Sequence, residues 1–328
     1  MEQRLLGDDA LKVSAIGLGC AGMSEGYGTP NDAQSWQTLC AAIEHGVSFF
    51  DSADAYGIGH NEELLGRFLE GRRNRIVLAT KFGLVRKPGA PPTIDNSPQY
   101  AKAACDASLQ RLKIDTIDLY YLQRRDPAVP IEDVVGAMAD LVRAGKVRYL
   151  GLSEVSPETL RRACGVHPIA AVQSEYSLWS RGPEAKMLDA CRALNVSFVA
   201  YCPLGRAFLT GAVRTLETLE QTDFRQRLPR FQSGALDKNT ALLRPLEVLA
   251  AQRGASCAQI ALAWLLGKYP HVIAIPGSKR PDHVVENAAA AAIKLTPHEI
   301  SDLDAHFAPA AISGDRYPPP AMAGIEAC

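Results

Sequence analysis

Three side chains able to handle a proton stand at the ends of two consecutive apolar runs. Asp51 and Tyr56 lie in Phe50-Asp51-Ser52-Ala53-Asp54-Ala55-Tyr56-Gly57, and Lys81 closes Ile76-Val77-Leu78-Ala79-Thr80-Lys81. A carboxylate, a phenol and an amine placed at strand ends can meet at one rim, where proton transfer is the chemistry they suit. A free phenol titrates at about 10, so it needs a neighbouring cation to exchange a proton at neutral pH. The next apolar run ends at Leu122 and is followed by Gln123. An amide there can donate a hydrogen bond but cannot gain or relay a proton.

The elements that must position these residues repeat along the chain. Short apolar runs fall near 13–18, 46–52, 76–81, 117–122, 147–152, 171–174, 196–201 and 272–276. Between them, 32–44, 61–71, 97–112, 131–144, 157–164, 183–194, 239–266 and 281–291 carry apolar residues at helical spacing. Ser156-Pro157 and Thr296-Pro297 read as N-cap and first-turn pairs, the second opening a final helix near 297–306. Eight strand–helix repeats with nearly continuous apolar strands suit a closed parallel (β/α)8 TIM barrel of the α/β class better than an open sheet, with 1–328 as a single domain. In a barrel, chemistry gathers where strands end on the C-terminal face. Asp51, Tyr56, Lys81, Gln123, Ser153, Gln173 and Tyr201 all fall at or just past such ends. The long segments 82–96 and 204–238 and the Pro-rich tail 313–328 would overhang the active face or the bottom.

The 328 residues are 47% hydrophobic and 22% charged with a formal net charge of -1, which fits a soluble globular protein and gives no electrostatic reason to expect nucleic acid or membrane as a partner. No apolar stretch approaches the roughly 18 residues that span a bilayer, and Met1-Glu2-Gln3-Arg4 lacks a signal-peptide core, so the cytoplasm is the expected compartment. Cysteines at 20, 40, 105, 164, 191, 202, 257 and 328 have no CxxC pairing or ligand spacing and read as reduced thiols, with no metal site expected. Gly17-Leu18-Gly19-Cys20-Ala21-Gly22 fits GxGxxG, but no helix clearly starts there and the next strand-end carboxylate lies too far along, so it reads as the first barrel strand and its loop.

Across nearly its whole length the chain resembles the aldo-keto reductases. The resemblance rests on Gly17-Leu18-Gly19-Cys20, Asp51 to Gly57, Ala79-Thr80-Lys81, Asp118-Leu119-Tyr120-Tyr121-Leu122, Gly151-Leu152-Ser153-Glu154, Val172-Gln173-Ser174-Glu175-Tyr176, Ala200-Tyr201-Cys202-Pro203-Leu204-Gly205-Arg206 and Ile275-Pro276-Gly277-Ser278-Lys279-Arg280. Within the family it is most similar to bacterial and plant members with a short tail, here Gly314-Asp315-Arg316-Tyr317-Pro318. The resemblance implies an NADPH-dependent oxidoreductase that reduces a small-molecule carbonyl, an aldehyde before a ketone, to an alcohol. Tyr56 would be the general acid, Lys81 the cation that stabilises its phenolate, and Asp51 the partner that fixes Lys81. Apolar loop residues Met23, Phe82, Trp179 and Phe208 would line the substrate side. Oligomeric state is not legible in a linear sequence.

For NADPH/NADP+, the resemblance implies Tyr201 stacked on the nicotinamide beside Cys20 and Ala21, with Ser153 and Gln173 on its carboxamide. Glu154 stands where many relatives carry Asn. The turn Cys202, Pro203, Leu204, Gly205, Arg206 would offer backbone N–H groups to the pyrophosphate. Gly277, Ser278, Lys279 and Arg280, leading into a helix with His283, Glu286 and Asn287, would hold the 2′-phosphate, and Arg230 could reach back over the cofactor.

At position 123 the family usually carries a histidine. Three readings of Gln123 are open: an engineered trap, a natural change of substrate or reaction such as reduction of an activated C=C bond, or a cofactor-binding sensor or regulatory protein with weak turnover.

Overall fold

In the computed structural model, which describes residues 1–7 and 11–326, eight parallel strands run in sequence order. They are β1 (Leu18–Gly19), β2 (Phe49–Asp51), β3 (Val77–Phe82), β4 (Ile117–Leu122), β5 (Val147–Ser153), β6 (Ile169–Glu175), β7 (Ser197–Tyr201) and β8 (Val272–Ile275). Parallel bridges Ile16↔Ala274 and Gly19↔Gly277, with Gly17 N–H donating to the Ala274 carbonyl at 2.8 Å, join the last strand to the first. The fold is a (β/α)8 barrel. Cys328 lies outside the described residues.

Helices α1 (Asp32–Glu44), α2 (His60–Leu69), α3 (Pro98–Leu112), α4 (Ile131–Arg143), α5 (Pro157–Cys164) and α6 (Met187–Ala193) follow the first six strands. Ser156 accepts from the Thr159 N–H ahead of Pro157, and Thr296 forms a capping box with Glu299, as their sequences predict. The helical stretch expected over 239–266 is instead three pieces, α7 (Ala235–Thr240), α8 (Leu243–Gln252) and α9 (Cys257–Lys268). Ser256 caps α9 through a box with Gln259, which breaks the run where apolar periodicity alone continues it. Then come α10 (Pro281–Ala289) and α11 (Pro297–His306).

The first apolar run also differs from its expected single strand. Leu11–Ser14 pairs antiparallel with Gln3–Leu6, and only Leu18–Gly19 enters the barrel. Leu6 and Val13 of this hairpin pack with the inward residues Phe49, Ala79, Leu119, Tyr121, Ala171, Val199 and Ile273. Strand alternation makes the next inward positions Asp51, Lys81, Gln123, Gln173 and Tyr201, so polar groups sit directly on top of an apolar plug. Gly151 sits opposite Tyr121 in the ladder, and a Cβ there would overlap the Tyr121 ring. This absence of a side chain lets the ring fill the barrel below the polar layer.

Candidate active site

Lys81 is 1% exposed and its amine lies 2.5 Å from Asp51 Oδ1, 2.6 Å from the Ser52 carbonyl and 3.3 Å from the Tyr56 hydroxyl. The other oxygen of Asp51 accepts from Gln173 Nε2 at 2.8 Å. Strands β2, β3 and β6 thus supply one buried hydrogen-bonded cluster, while Tyr56 comes from the loop after β2. That loop is pinned by Asp54 N–H to the Lys81 carbonyl, by Ser52 Oγ to Asn61 Oδ1, and by Asn61 Nδ2 to the Cys20 carbonyl and Ser24. Gly57 turns there with φ +59, and a Cβ on it would press on Ser24.

Burial pushes the Asp51 carboxyl up and the Lys81 amine down, and each is the main charge opposing the other's shift. Burial, reinforced by the Asp51 charge, holds the Tyr56 phenol well above its ordinary value, with Arg124 pulling the other way. The phenol is therefore kept protonated, where charge pairing alone would lower it: desolvation outweighs the neighbouring cation.

These groups open onto a cleft of about 1060 Å3 lined by Asp51, Tyr56, Lys81, Gln123, Ser153, Gln173 and Tyr201. A volume at the top of the range for small-molecule sites leaves room for an extended cofactor beside a substrate. Gln123 is 7% exposed, and its Oε1 is buried without a partner. A buried amide oxygen left unpaired is costly unless a ligand completes it.

The cleft also contains Ala21, Cys202, Pro203, Leu204 and Arg206, and along its far wall Gly277, Ser278, Lys279, Arg280, His283, Glu286 and Asn287. Arg206 points its guanidinium into a buried bidentate pair with Glu175, at 2.7 and 3.2 Å. Lys279 donates to the Tyr27 and Thr29 carbonyls, Arg280 pairs with Asp282 at the solvent edge, and Asn287 donates to Ser278. Four positions of the turn after β7, Cys202, Gly205, Arg206 and Ala207, take positive φ, backbone that bulky residues adopt only at a cost.

Several expected contacts fall elsewhere. Cys20 is buried, its thiol turned to the Leu18 carbonyl. Gly205 lies against the Trp179 ring outside the cleft lining. Glu154 is fully buried and accepts from Tyr201, from the Glu175 N–H and from both nitrogens of Arg316, so it anchors the tail instead of a cofactor. Arg230 donates to the Trp179 carbonyl and Ser180 and stays out of the main cleft. Gln173 gives its amide N–H to Asp51. Met23, Phe82, Trp179 and Phe208 are all 0% exposed. Phe82 stacks on Tyr120 and Trp179 on Phe208, so loop apolarity here serves packing.

The structure adds residues that sequence reasoning missed. Glu25, Tyr27, Arg86, Arg124, Phe224, Arg225, Arg227 and Tyr317 line the cleft. Phe224 meets Tyr27 edge-to-face at 5.0 Å and its N–H donates to the Gly26 carbonyl, while Thr29 donates to Glu220. The long segment after β7 thereby crosses to the loop after β1. Tyr317 brings its hydroxyl to 3.3 Å from that of Tyr201. The Arg316-Tyr317 pair, within the short tail that stands out in the sequence, was the one signal for it. Among the described residues no three His, Cys, Asp or Glu side chains could hold a metal ion, and no helix is long and apolar enough to cross a membrane.

Comparison with known proteins agrees with this geometry. The chain is 42% identical over 328 residues to an NADP(+) aldo-keto reductase, yakc, of Schizosaccharomyces pombe, covering 98% of this chain and 96% of that one. It superposes on a glycerol dehydrogenase of Gluconobacter oxydans with a TM-score of 0.84 at 32% identity, covering 94% and 96% of the two chains. An aldo/keto reductase of Klebsiella pneumoniae, solved in complex with NADP and acetate, matches with a TM-score of 0.73 at 30% identity over 97% and 99%. The aldo/keto reductase family model matches residues 15–308, and the chain belongs to that family.

Proposed function

We propose that the protein is an NADPH-dependent oxidoreductase that reduces an aldehyde, or less readily a ketone, to the alcohol, with the whole chain acting as one domain. The observation that carries this reading is the Tyr56 hydroxyl 3.3 Å from a lysine amine that is itself held by Asp51 and the Ser52 carbonyl, at the wall of a cleft of about 1060 Å3. The Gln123 amide, which lines the cleft and can donate an N–H, and the polar rim at Ser278 to Asn287 fit a substrate oxygen and a phosphate-bearing cofactor, respectively. The NADP named for two relatives agrees with that rim.

When bound, the reduced nicotinamide supplies the hydride. Ser153 and the ring of Tyr201, whose hydroxyl is tied to Glu154, form its wall of the cleft. The N-terminus of α10, with Ser278, Lys279 and Arg280, would hold a 2′-phosphate. Tyr56 donates its proton to the carbonyl oxygen as the new C–H bond forms, and Lys81 stabilises the phenolate that remains. Gln123 donates an amide N–H to the same oxygen and holds the carbonyl in place. Its amide does not titrate, so Tyr56 alone carries the proton.

Oxidation of NADPH at 340 nm with a panel of aromatic and aliphatic aldehydes, with the alcohol product identified, tests the assignment. The expected result is stoichiometric alcohol. Tight NADPH binding without turnover on any aldehyde would instead favour a cofactor sensor, and turnover only on conjugated alkenes would favour C=C reduction.

A further inference from the structure

The cations of the cleft wall differ in how they are satisfied. Arg86 pairs with Glu25, Arg206 with Glu175, Arg225 with Asp223 and Arg280 with Asp282, while Lys279 is held by two loop carbonyls and Arg227 is exposed to solvent. Arg124 has no carboxylate partner among the described residues. Its only side-chain hydrogen bond there runs from Nη1 to the Gln123 carbonyl at 2.9 Å, so the remaining donors of a partly buried, cleft-lining guanidinium have no protein partner among the described residues. The groups acting on its charge are Tyr201, Tyr317, Glu154 and Tyr56. Three are phenols, and Glu154 is already neutralised by the two nitrogens of Arg316 at 3.0 Å. A desolvated cation left without a counter-charge is costly, and an arriving anion removes that cost.

The bound cofactor's phosphates are a poor fit for that role. Arg124 follows β4, which in the closed eight-stranded ring lies opposite β8, the strand that leads into the phosphate-binding rim. It stands instead next to Gln123 and acts on Tyr56, the groups that meet the substrate carbonyl.

We propose that Arg124 is the anchor for an oxyanion carried by the substrate itself, so that the preferred substrate is an aldehyde or ketone bearing a carboxylate or phosphate. The inference rests on the carbonyl-reductase reading and deepens it. Arg124 grips the anion through its planar fork, and the grip sets the distance at which the carbonyl meets Tyr56 and Gln123.

Two measurements test it. In the first, kcat/KM is compared for 4-carboxybenzaldehyde and its neutral methyl ester. The wild-type enzyme is expected to favour the carboxylate by at least about 10-fold, mostly through KM, with the preference collapsing towards unity in Arg124→Met and partly retained in Arg124→Lys. Equal kcat/KM for acid and ester in the wild type, or a preference that survives in Arg124→Met, overturns the anchor while leaving carbonyl reduction intact. In the second, calorimetric titration of the protein with benzoate and with phenyl phosphate reads the site without turnover. Binding of either, weakened at least about 10-fold in a folded Arg124→Met, supports the oxyanion site even if no aldehyde is reduced, and the tighter ligand names the class. No binding of either, or equal binding to wild type and variant, overturns it.

Discussion

The two sides of the cleft are built on different physical terms. On the β2–β4 side, Asp51 and Lys81 are almost fully buried and locked to each other, to the Ser52 carbonyl and to Gln173. On the β8–α10 side, Arg280 and Asp282 form an exposed pair and Lys279 reaches only loop carbonyls. The first side is organised before any ligand arrives, as a chemical step requires, because charges that must reorganise cost free energy in the transition state. The second is screened by water, and on the proposed reading it would gain strength only when a cofactor phosphate displaces that water. Chemistry and cofactor choice should therefore respond to mutation in different measurable quantities.

The largest contrast should come from Lys81→Met. It leaves the Asp51 carboxyl buried without its cation, so a loss of about 3–5 kcal/mol in chemical-denaturation stability is expected alongside a fall in kcat of at least about 100-fold. Asp51→Asn in the same background should recover much of the stability and none of the rate. A Lys81→Met protein as stable as the wild type would mean that the pair does not organise this side.

Gln123→His should act on kcat and on its pH dependence without disturbing the Asp51–Lys81 cluster. Burial and Asp51 raise the Tyr56 phenol, so the protonated acid persists through neutral pH and kcat/KM for reduction should stay level from about pH 6 to 9, falling only where the phenol ionises. A histidine at 123 adds a group that titrates near about 6.5 and should introduce a limb there. An aldehyde rate that rises roughly 10-fold in Gln123→His marks the glutamine as a crippling change, and a rate that falls marks it as an adaptation.

The smallest effect belongs to the exposed side. Arg280→Ala should raise KM for NADPH about 5–10-fold, leave KM for NADH nearly unchanged and leave kcat intact, because an exposed cation contributes binding and no chemistry. Equal effects on both cofactors would move the 2′-phosphate away from this rim.

The same contrast sorts what was legible in the sequence. Asp51, Lys81, Gln123, Ser153, Gln173 and Tyr201 could be placed because strand alternation fixes the direction of a side chain within a few residues of an apolar run. Eight apolar runs with helical segments between them favoured a barrel over an open sheet, and closure itself shows only in the bridges that join the last strand to the first. What escaped depends on contacts between distant segments. Glu154 is taken by Arg316, which lies far along the chain in the short tail, where the sequence shows the tail but not the partner it reaches. Glu326 likewise ties the tail down by accepting from Arg125 and the Ser156 N–H. Trp179, Phe208, Met23 and Phe82 look like pocket residues because they are apolar and sit in or next to loops, yet the 204–238 segment packs onto the barrel and takes two of them into its own core. The short interruption between α8 and α9 was hidden for a simpler reason: the apolar period continues across it, while Gly254 at φ +58 ends one helix and the Ser256–Gln259 box starts the next.

The account depends most on Tyr56 as the proton donor, and the direct test is Tyr56→Phe, with aldehyde-dependent NADPH oxidation and NADPH binding by fluorescence quenching measured on the same sample. The prediction is a loss of kcat of about 100- to 10,000-fold with the binding constant for NADPH within about 3-fold of wild type. A Tyr56→Phe enzyme that binds NADPH normally and still reduces aldehydes at close to the wild-type rate would contradict it.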